Sequence, residues 1–207
     1  MLFGVGARRD IAKFFSGAVR FCTDRRGVAA IEFAFIAPVL FIMYFVTMEV
    51  AQGIEANKKV SRIGSMVADL VTQRPTVTPS DLDAIMRIAD STLQPYNRSS
   101  PKIVITEITI SADAKPKATV AWSRKMENGA FSKGDPAKTP VTIPTSLNIG
   151  GTFLVRVDSY LNYQPILTWT AEQKQATGLF ASFDNLPMSE TYYLRPRMST
   201  SVDCATC

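Results

Sequence analysis

Hydrophobic and polar positions follow three different periods along the chain. Between Arg25-Arg26-Gly27 and a polar stretch beginning at Glu49 lies an unbroken apolar run, VAAIEFAFIAPVLFIMYFVTM (residues 28–48), in which Glu32 is the only charge. Its 21 residues would form a helix about 31 Å long at ~1.5 Å per residue, matching the ~30 Å hydrocarbon core of a bilayer. A secretory signal has a shorter apolar core, roughly 7 to 15 residues, followed by a small-x-small cleavage site; this run is longer and continues into a helical pattern. Val46, Val50 and Ile54, then Val60, Ile63, Val67, Leu70 and Val71, recur at spacings near three and four, and no proline interrupts residues 49–72. The pattern predicts one helix over residues 28–72, ~68 Å long, with its first half in lipid and its second half packed on a soluble domain. Gly53 and Gly64 argue against a straight rod, and Pro38 either kinks the helix or is tolerated as prolines in membrane helices often are. Gln73-Arg74-Pro75 ends it.

A second helix is signalled over residues 79–93. Thr78 is placed to cap it, Pro79 fits the first helical position, and Asp81 and Asp83 fall in the first turn. Its buried face is Leu82, Ile85, Met86, Ala89 and Leu93, and Gln94-Pro95 stops it. Beyond Pro101 the period becomes two. KIVITEITIS (residues 102–111) is rich in β-branched residues, and ATVAWSRKM (118–126) alternates Val120 and Trp122 against Thr119, Ala121 and Ser123. TFLVRVDSYLNY (152–163) alternates Phe153, Val155 and Val157 against Arg156 and Asp158. A fourth strand is expected over residues 190–196, with Tyr192, Tyr193 and Leu194. ENGAFSKGDPAKTP (127–140) reads as a long surface loop, and Gly150-Gly151 as a turn. The fold class is α+β: a long N-terminal transmembrane helix continuing into a soluble domain, a second helix, then a small, mainly antiparallel sheet.

Charge sharpens this picture. The 207 residues carry a net +5, and residues 1–27 hold six basic side chains (Arg8, Arg9, Lys13, Arg20, Arg25, Arg26) against Asp10 and Asp24. Four of the five units therefore precede the apolar run, while Lys58, Lys59 and Arg62 follow it only ten or more residues later. The asymmetry keeps the N-terminus cytoplasmic and puts residues 49–207 outside the cytoplasm. Three segments result: a basic leader (1–27), a membrane span (28–48) and an extracytoplasmic α+β domain (49–207). Within the leader, Ile11, Phe14, Phe15, Ala18, Val19 and Cys22 recur at helical spacing, which suits either a basic amphipathic helix on the inner leaflet or a disordered basic region.

The most specific motif straddles the membrane boundary. DRRGVAAIEF (residues 24–33) combines a basic stretch, Gly27, four small or apolar residues, and Glu32-Phe33 opening an apolar helix. It resembles a type IV prepilin signal, and RRGVAAIEFAFIAPVL more narrowly resembles the TadE/TadG-like proteins of tight-adherence (Flp-type) pilus systems. FLVRVDSYLNYQPIL, with Tyr160-x-x-Tyr163-x-Pro165, and the ending ETYYLRPRMSTSVDC are similar to later blocks of the same proteins. The resemblance implies a minor pilin or pseudopilin, cut by a prepilin peptidase between Gly27 and Val28. Glu32 would become the fifth residue of the mature chain, and with Phe33 it would set register during assembly with other pilins. Independently of the resemblance, a carboxylate in a spanning segment costs roughly 2.5 to 3.5 kcal/mol on insertion scales, so it needs a partner or a function, unless it snorkels to the headgroups. Glycine at position 27 allows a protease close approach, or serves only as a linker.

Other chemistry is thinner. The chain has no histidine, which removes Ser-His-Asp and Cys-His nucleophilic sites and nearly every catalytic zinc site. No enzyme, metal or other cofactor is expected. Cys204 and Cys207 end the chain as C-A-T-C; outside the cytoplasm a short-range disulfide or bonds to other proteins are favoured over a redox-active pair, which normally sits at a helix start. Lys115 and Lys117 flank Pro116 in a hairpin connection and make no nucleic-acid patch. Trp122, Tyr160, Tyr163 and Trp169 suit either a glycan or adhesion site or the sheet core. The expected partners are the bacterial inner membrane, a prepilin peptidase and pilus assembly proteins. The rival function is a membrane-anchored binding or scaffold module of the cell envelope that never enters a filament.

Overall fold

The computed structural model describes residues 27–96, 98–165 and 185–207. It contains α1 (Val28–Thr72), α2 (Pro79–Thr92), β1 (Lys102–Ile110), β2 (Ala118–Glu127), β3 (Ala130–Lys133), a short 3-10 turn (Thr145–Leu147), β4 (Phe153–Tyr163) and β5 (Leu186–Leu194). The strands form one antiparallel sheet in the order β3-β2-β1-β4-β5. The expected α+β order is the observed one, and the long helix has the predicted ends. Pro38 lies inside α1 without terminating it. The chain divides into two compact units, Met1–Met48 and Glu49–Cys207.

In the first unit, the large apolar side chains between Val28 and Phe45 are 41–75% exposed. α1 is long and apolar enough to cross a membrane, and no residue of its most apolar window is buried within the protein. So much uncovered apolar surface belongs in lipid or against a partner.

In the second unit, α1 buries Ala56, Val60, Ile63, Gly64, Val67, Ala68 and Val71. With Leu82, Ile85, Met86 and Leu93, these form one core with Ile103, Ile105, Trp122, Met126, Val155, Val157, Leu161, Tyr163 and Met188. Val50 and Ile54 do not extend the stripe and are 46% and 53% exposed. At 3.6 residues per turn they point about 120° and 160° away from Ala56, so the expected stripe joined two different faces. At Gly64 the helix meets the sheet so closely that a Cβ would stand 2.7 Å from the Tyr192 ring and 2.9 Å from Ser159 Oγ. The Ser159 hydroxyl donates to the Val60 carbonyl (3.3 Å), and Ser61 and Tyr192 share a hydrogen bond through their hydroxyls.

α2 is capped as expected. Thr78 Oγ1 accepts from the Asp81 N–H (3.3 Å) while Asp81 accepts from the Thr78 N–H (3.0 Å), a capping box. These bonds, chiefly those from Thr78 with Arg74 adding to them, hold the Asp81 carboxyl below its usual value. Leu93 is the C-cap rather than the last helical residue. Asp83 receives both Nε and Nη2 of Arg124 at 2.8 Å, tying α2 to β2.

Three readings of the sheet are corrected. The stretch at residues 127–140 is not all loop: Asn128 (φ 52°) and Gly129 (φ 75°) make a two-residue turn that pairs Glu127 with Ala130 and starts β3. Asn-Gly suits this turn because both central residues need positive φ. Val120 and Trp122 do not share a face. The register shifts between Glu107 and Ile108, so that Glu107 opposes Trp122 while Ile108 opposes Val120, leaving Ala121 as a bulge residue that reverses the alternation. β5 runs over Leu186–Leu194 rather than 190–196; Pro187 is tolerated because the strand lies at the sheet edge. On the face away from the helices, Ile108, Ile110, Ala118 and Leu154 form a second cluster, covered by Val141, Ile143, Leu147 and Tyr193. The strap carrying Val141 is bound to β2, with Lys138 N–H donating to the Val120 carbonyl (2.8 Å) and Val141 N–H to the Ala118 carbonyl (3.0 Å).

Candidate functional site

Gly27 immediately precedes α1 and is exposed, and a Cβ built on it would meet nothing within 4 Å. Packing against the described residues therefore gives no reason for a glycine at this position. Val28, the first helical residue, is 50% exposed. Glu32 lies one turn further on, exposed, and among the described residues it has neither a hydrogen bond nor an ion pair. Phe33 beside it is 69% exposed. The leader, including Cys22, lies outside the described residues.

The far end of the chain is tied down. Arg197 N–H donates to the Thr72 carbonyl (3.0 Å) and its guanidinium pairs with Asp69 (2.9 Å). Asp203 bridges to Thr76, its N–H donating to the Pro75 carbonyl (3.1 Å) and its carbonyl accepting from the Val77 N–H (2.9 Å). Between them, the fully buried Val202 is held at both backbone groups: its N–H donates to Glu107 Oε1 (2.6 Å) and its carbonyl accepts from the Trp122 indole N–H (2.7 Å). Glu107 is 2% exposed. Burial pushes its carboxyl up to about 7 despite the opposing pull of the Val202 N–H and the Trp122 indole, and the neighbouring Asp203 adds to the rise. Cys204 and Cys207 follow directly, their Cα atoms 5.6 Å apart and their sulfurs paired as a disulfide.

The sequence reading missed this latch. Its one local signal was Glu107 itself, which occupies the core-facing position of β1 after Ile103 and Ile105 and so breaks that strand's apolar face.

The aromatic residues do not assemble into one platform. Trp122 and Tyr163 are buried in the core, Tyr160 is 41% exposed with Lys102 6.0 Å from its ring centre, and Trp169 lies outside the described residues. Tyr160 and Tyr163, an odd number of positions apart on β4, point to opposite faces. Among the described residues no group of three or more Cys, Asp or Glu is arranged to hold a metal ion.

Comparison with known families bears on the N-terminal boundary. A family model described as TadE-like protein matches residues 27–62. Over this segment the chain is similar to the TadE-like proteins. The TadE-like segment begins at Gly27, contains Val28, Glu32 and Phe33, and extends past the apolar run to Arg62 on the buried half of α1. The tyrosine block on β4 and the Arg195-Pro196-Arg197 ending lie outside the match. No curated protein and no solved structure matches the chain.

Proposed function

We propose that the protein is a non-catalytic minor pilin or pseudopilin of a tight-adherence pilus, held in the bacterial inner membrane by residues 28–48 with its N-terminus cytoplasmic. A prepilin peptidase cuts between Gly27 and Val28, removing the basic leader. The new amine of Val28 and the Glu32 carboxylate then lie one helical turn apart in apolar surroundings. Each is costly there alone, and Glu32 of one subunit pairing with the amine of a neighbour neutralises both and fixes axial register. The soluble unit, with its strap and C-terminal latch, is carried into the assembly as a preformed body.

The observation that supports this reading best is the TadE-like match beginning at Gly27, together with a Glu32 that has no partner among the described residues. The test is coexpression with the cognate peptidase, followed by N-terminal sequencing and recovery of pilus fibres. Chains starting at Val28 and present in fibres are expected. A chain that always begins at or before Gly27 removes the pilin mechanism and leaves the anchor. Glu32→Ala should leave membrane insertion intact and strongly reduce incorporation, and normal piliation would eliminate the charge-pairing role.

A further inference from the structure

The core-facing side of α1 changes character towards its apolar end. From Val71 back to Ala56 that side is buried and mostly aliphatic, but Gln52 and Glu49, which continue the same stripe, are polar. Beside them is a cavity of about 260 Å³ lined by Gln52, Pro95, Tyr96, Arg98, Tyr163 and Gln164. Both tyrosine hydroxyls in its wall donate to carboxylates, Tyr163 to Glu49 (2.8 Å) and Tyr96 to Glu55 (2.9 Å). Lys59 is engaged elsewhere, donating to the Gln94 carbonyl and lying 5.0 Å from the Tyr96 ring centre. Arg98 is exposed and has no hydrogen bond or ion pair among the described residues.

Three properties select a ligand. Gln52 follows Met48 by only four residues, about 6 Å of helical rise, which is the depth of the headgroup layer flanking a bilayer core. The volume falls below the roughly 300–1,000 Å³ of pockets for drug-sized ligands, so it suits a headgroup rather than an oligosaccharide. The charges are mixed: the Arg98 guanidinium in the wall has no partner among the described residues, and the Glu55 carboxylate, just outside the wall, is reached through the Tyr96 hydroxyl. A purely anionic headgroup would confront that carboxylate, whereas a zwitterion carries its own cation to it.

We propose that this cavity binds the headgroup of a zwitterionic aminophospholipid, its phosphate on Arg98 with the Gln52 and Gln164 amides, and its primary ammonium on the Glu55 carboxylate. A quaternary ammonium has no N–H to donate and would bind less well. The inference rests on membrane insertion of residues 28–48 and is independent of entry into a filament.

The test is native mass spectrometry of the full chain in detergent, titrated with phosphatidylethanolamine, phosphatidylcholine or phosphatidylglycerol bearing identical acyl chains. Phosphatidylethanolamine should be retained most strongly. Arg98→Gln should weaken that retention about tenfold, Arg98→Lys should restore much of it, and Glu55→Gln should erase the preference over phosphatidylcholine. Soluble phosphoethanolamine should compete, which separates a headgroup site from acyl-chain adhesion. Equal retention of the three lipids, a preference for phosphatidylglycerol, or indifference to Arg98→Gln overturns the proposal. Carbonate extraction of membranes tests insertion separately, so a failed anchor and a failed headgroup site give different results.

Discussion

Raising the pH from about 5 to about 8 should weaken the second unit, Glu49–Cys207, with Glu107 as the cause. Its carboxyl is moved from an ordinary 4.5 to about 7 because it is buried on β1 against the C-terminal segment, with the Val202 N–H, the Trp122 indole and Asp203 around it. That displacement corresponds to about 3 kcal/mol between the protonated and ionised forms. The folded value is the higher one, so between 4.5 and about 7 the folded chain keeps a proton that the unfolded chain has released. The contribution is complete below pH 4.5, declines as pH rises and is gone above about 7. From pH ~5 to ~8 the loss integrates to about 2.5 kcal/mol. The window is unusually clean because the chain has no histidine. Asp81 is shifted below 3.8, and the raised tyrosines Tyr96, Tyr160 and Tyr163 start from 10. Urea unfolding of the full chain in detergent, followed by tryptophan fluorescence, measures the effect through Trp122, which is bonded to the latch. Glu107→Gln keeps an oxygen for the Val202 N–H but cannot titrate, so its stability should be nearly level across the window. Wild-type stability that stays level or rises with pH, or a Glu107→Gln variant with the wild-type slope, would refute the assignment.

Two further changes test the packing of the helices on the sheet. Gly64→Ala gains up to ~1 kcal/mol of helix propensity but forces its methyl against Tyr192 and Ser159, and overpacking of ~1–3 kcal/mol should prevail, lowering the melting temperature of the second unit. A variant as stable as wild type would mean that Tyr192 swings aside at little cost. Asp83→Asn breaks a two-pronged pair whose side chains are only 15% and 22% exposed and should cost about 1–3 kcal/mol; an unchanged unfolding midpoint would show that α2 is held by its apolar face, Leu82, Ile85 and Met86, alone.

The elements that the sequence made legible are those with local causes. The end of α1 at Thr72 follows from Pro75, and the start of α2 from the Thr78-Pro79-x-Asp81 arrangement, where each side chain acts on backbone within one turn. β3 was hidden because four residues with two polar members carry almost no periodicity, although Asn128-Gly129 announced the turn before it. The bulge at Ala121 had no local signature, since the alternation on either side of it looks regular until the strand is set against β1. The C-terminal latch was further from view: its bonds connect Val202 to Glu107 and Trp122 across 95 and 80 residues, and nothing near Val202 distinguishes it from an ordinary polar tail.

Glu32 and Glu107 make the contrast sharper, because in the sequence they look alike: each is a single glutamate in an otherwise apolar or β-branched stretch. Folding separates them. Glu107 is answered within the chain by the Val202 N–H, and its remaining penalty is relieved by taking up a proton. Glu32 receives no such answer among the described residues, and the side chains flanking it, Ile31 and Phe33, stay 59% and 69% exposed. In a membrane, where a lone carboxylate costs roughly 2.5 to 3.5 kcal/mol, the proposed partner of Glu32 lies on a neighbouring chain. That asymmetry, more than the glutamate's presence, is the reason to look for the partner of Glu32 on another subunit.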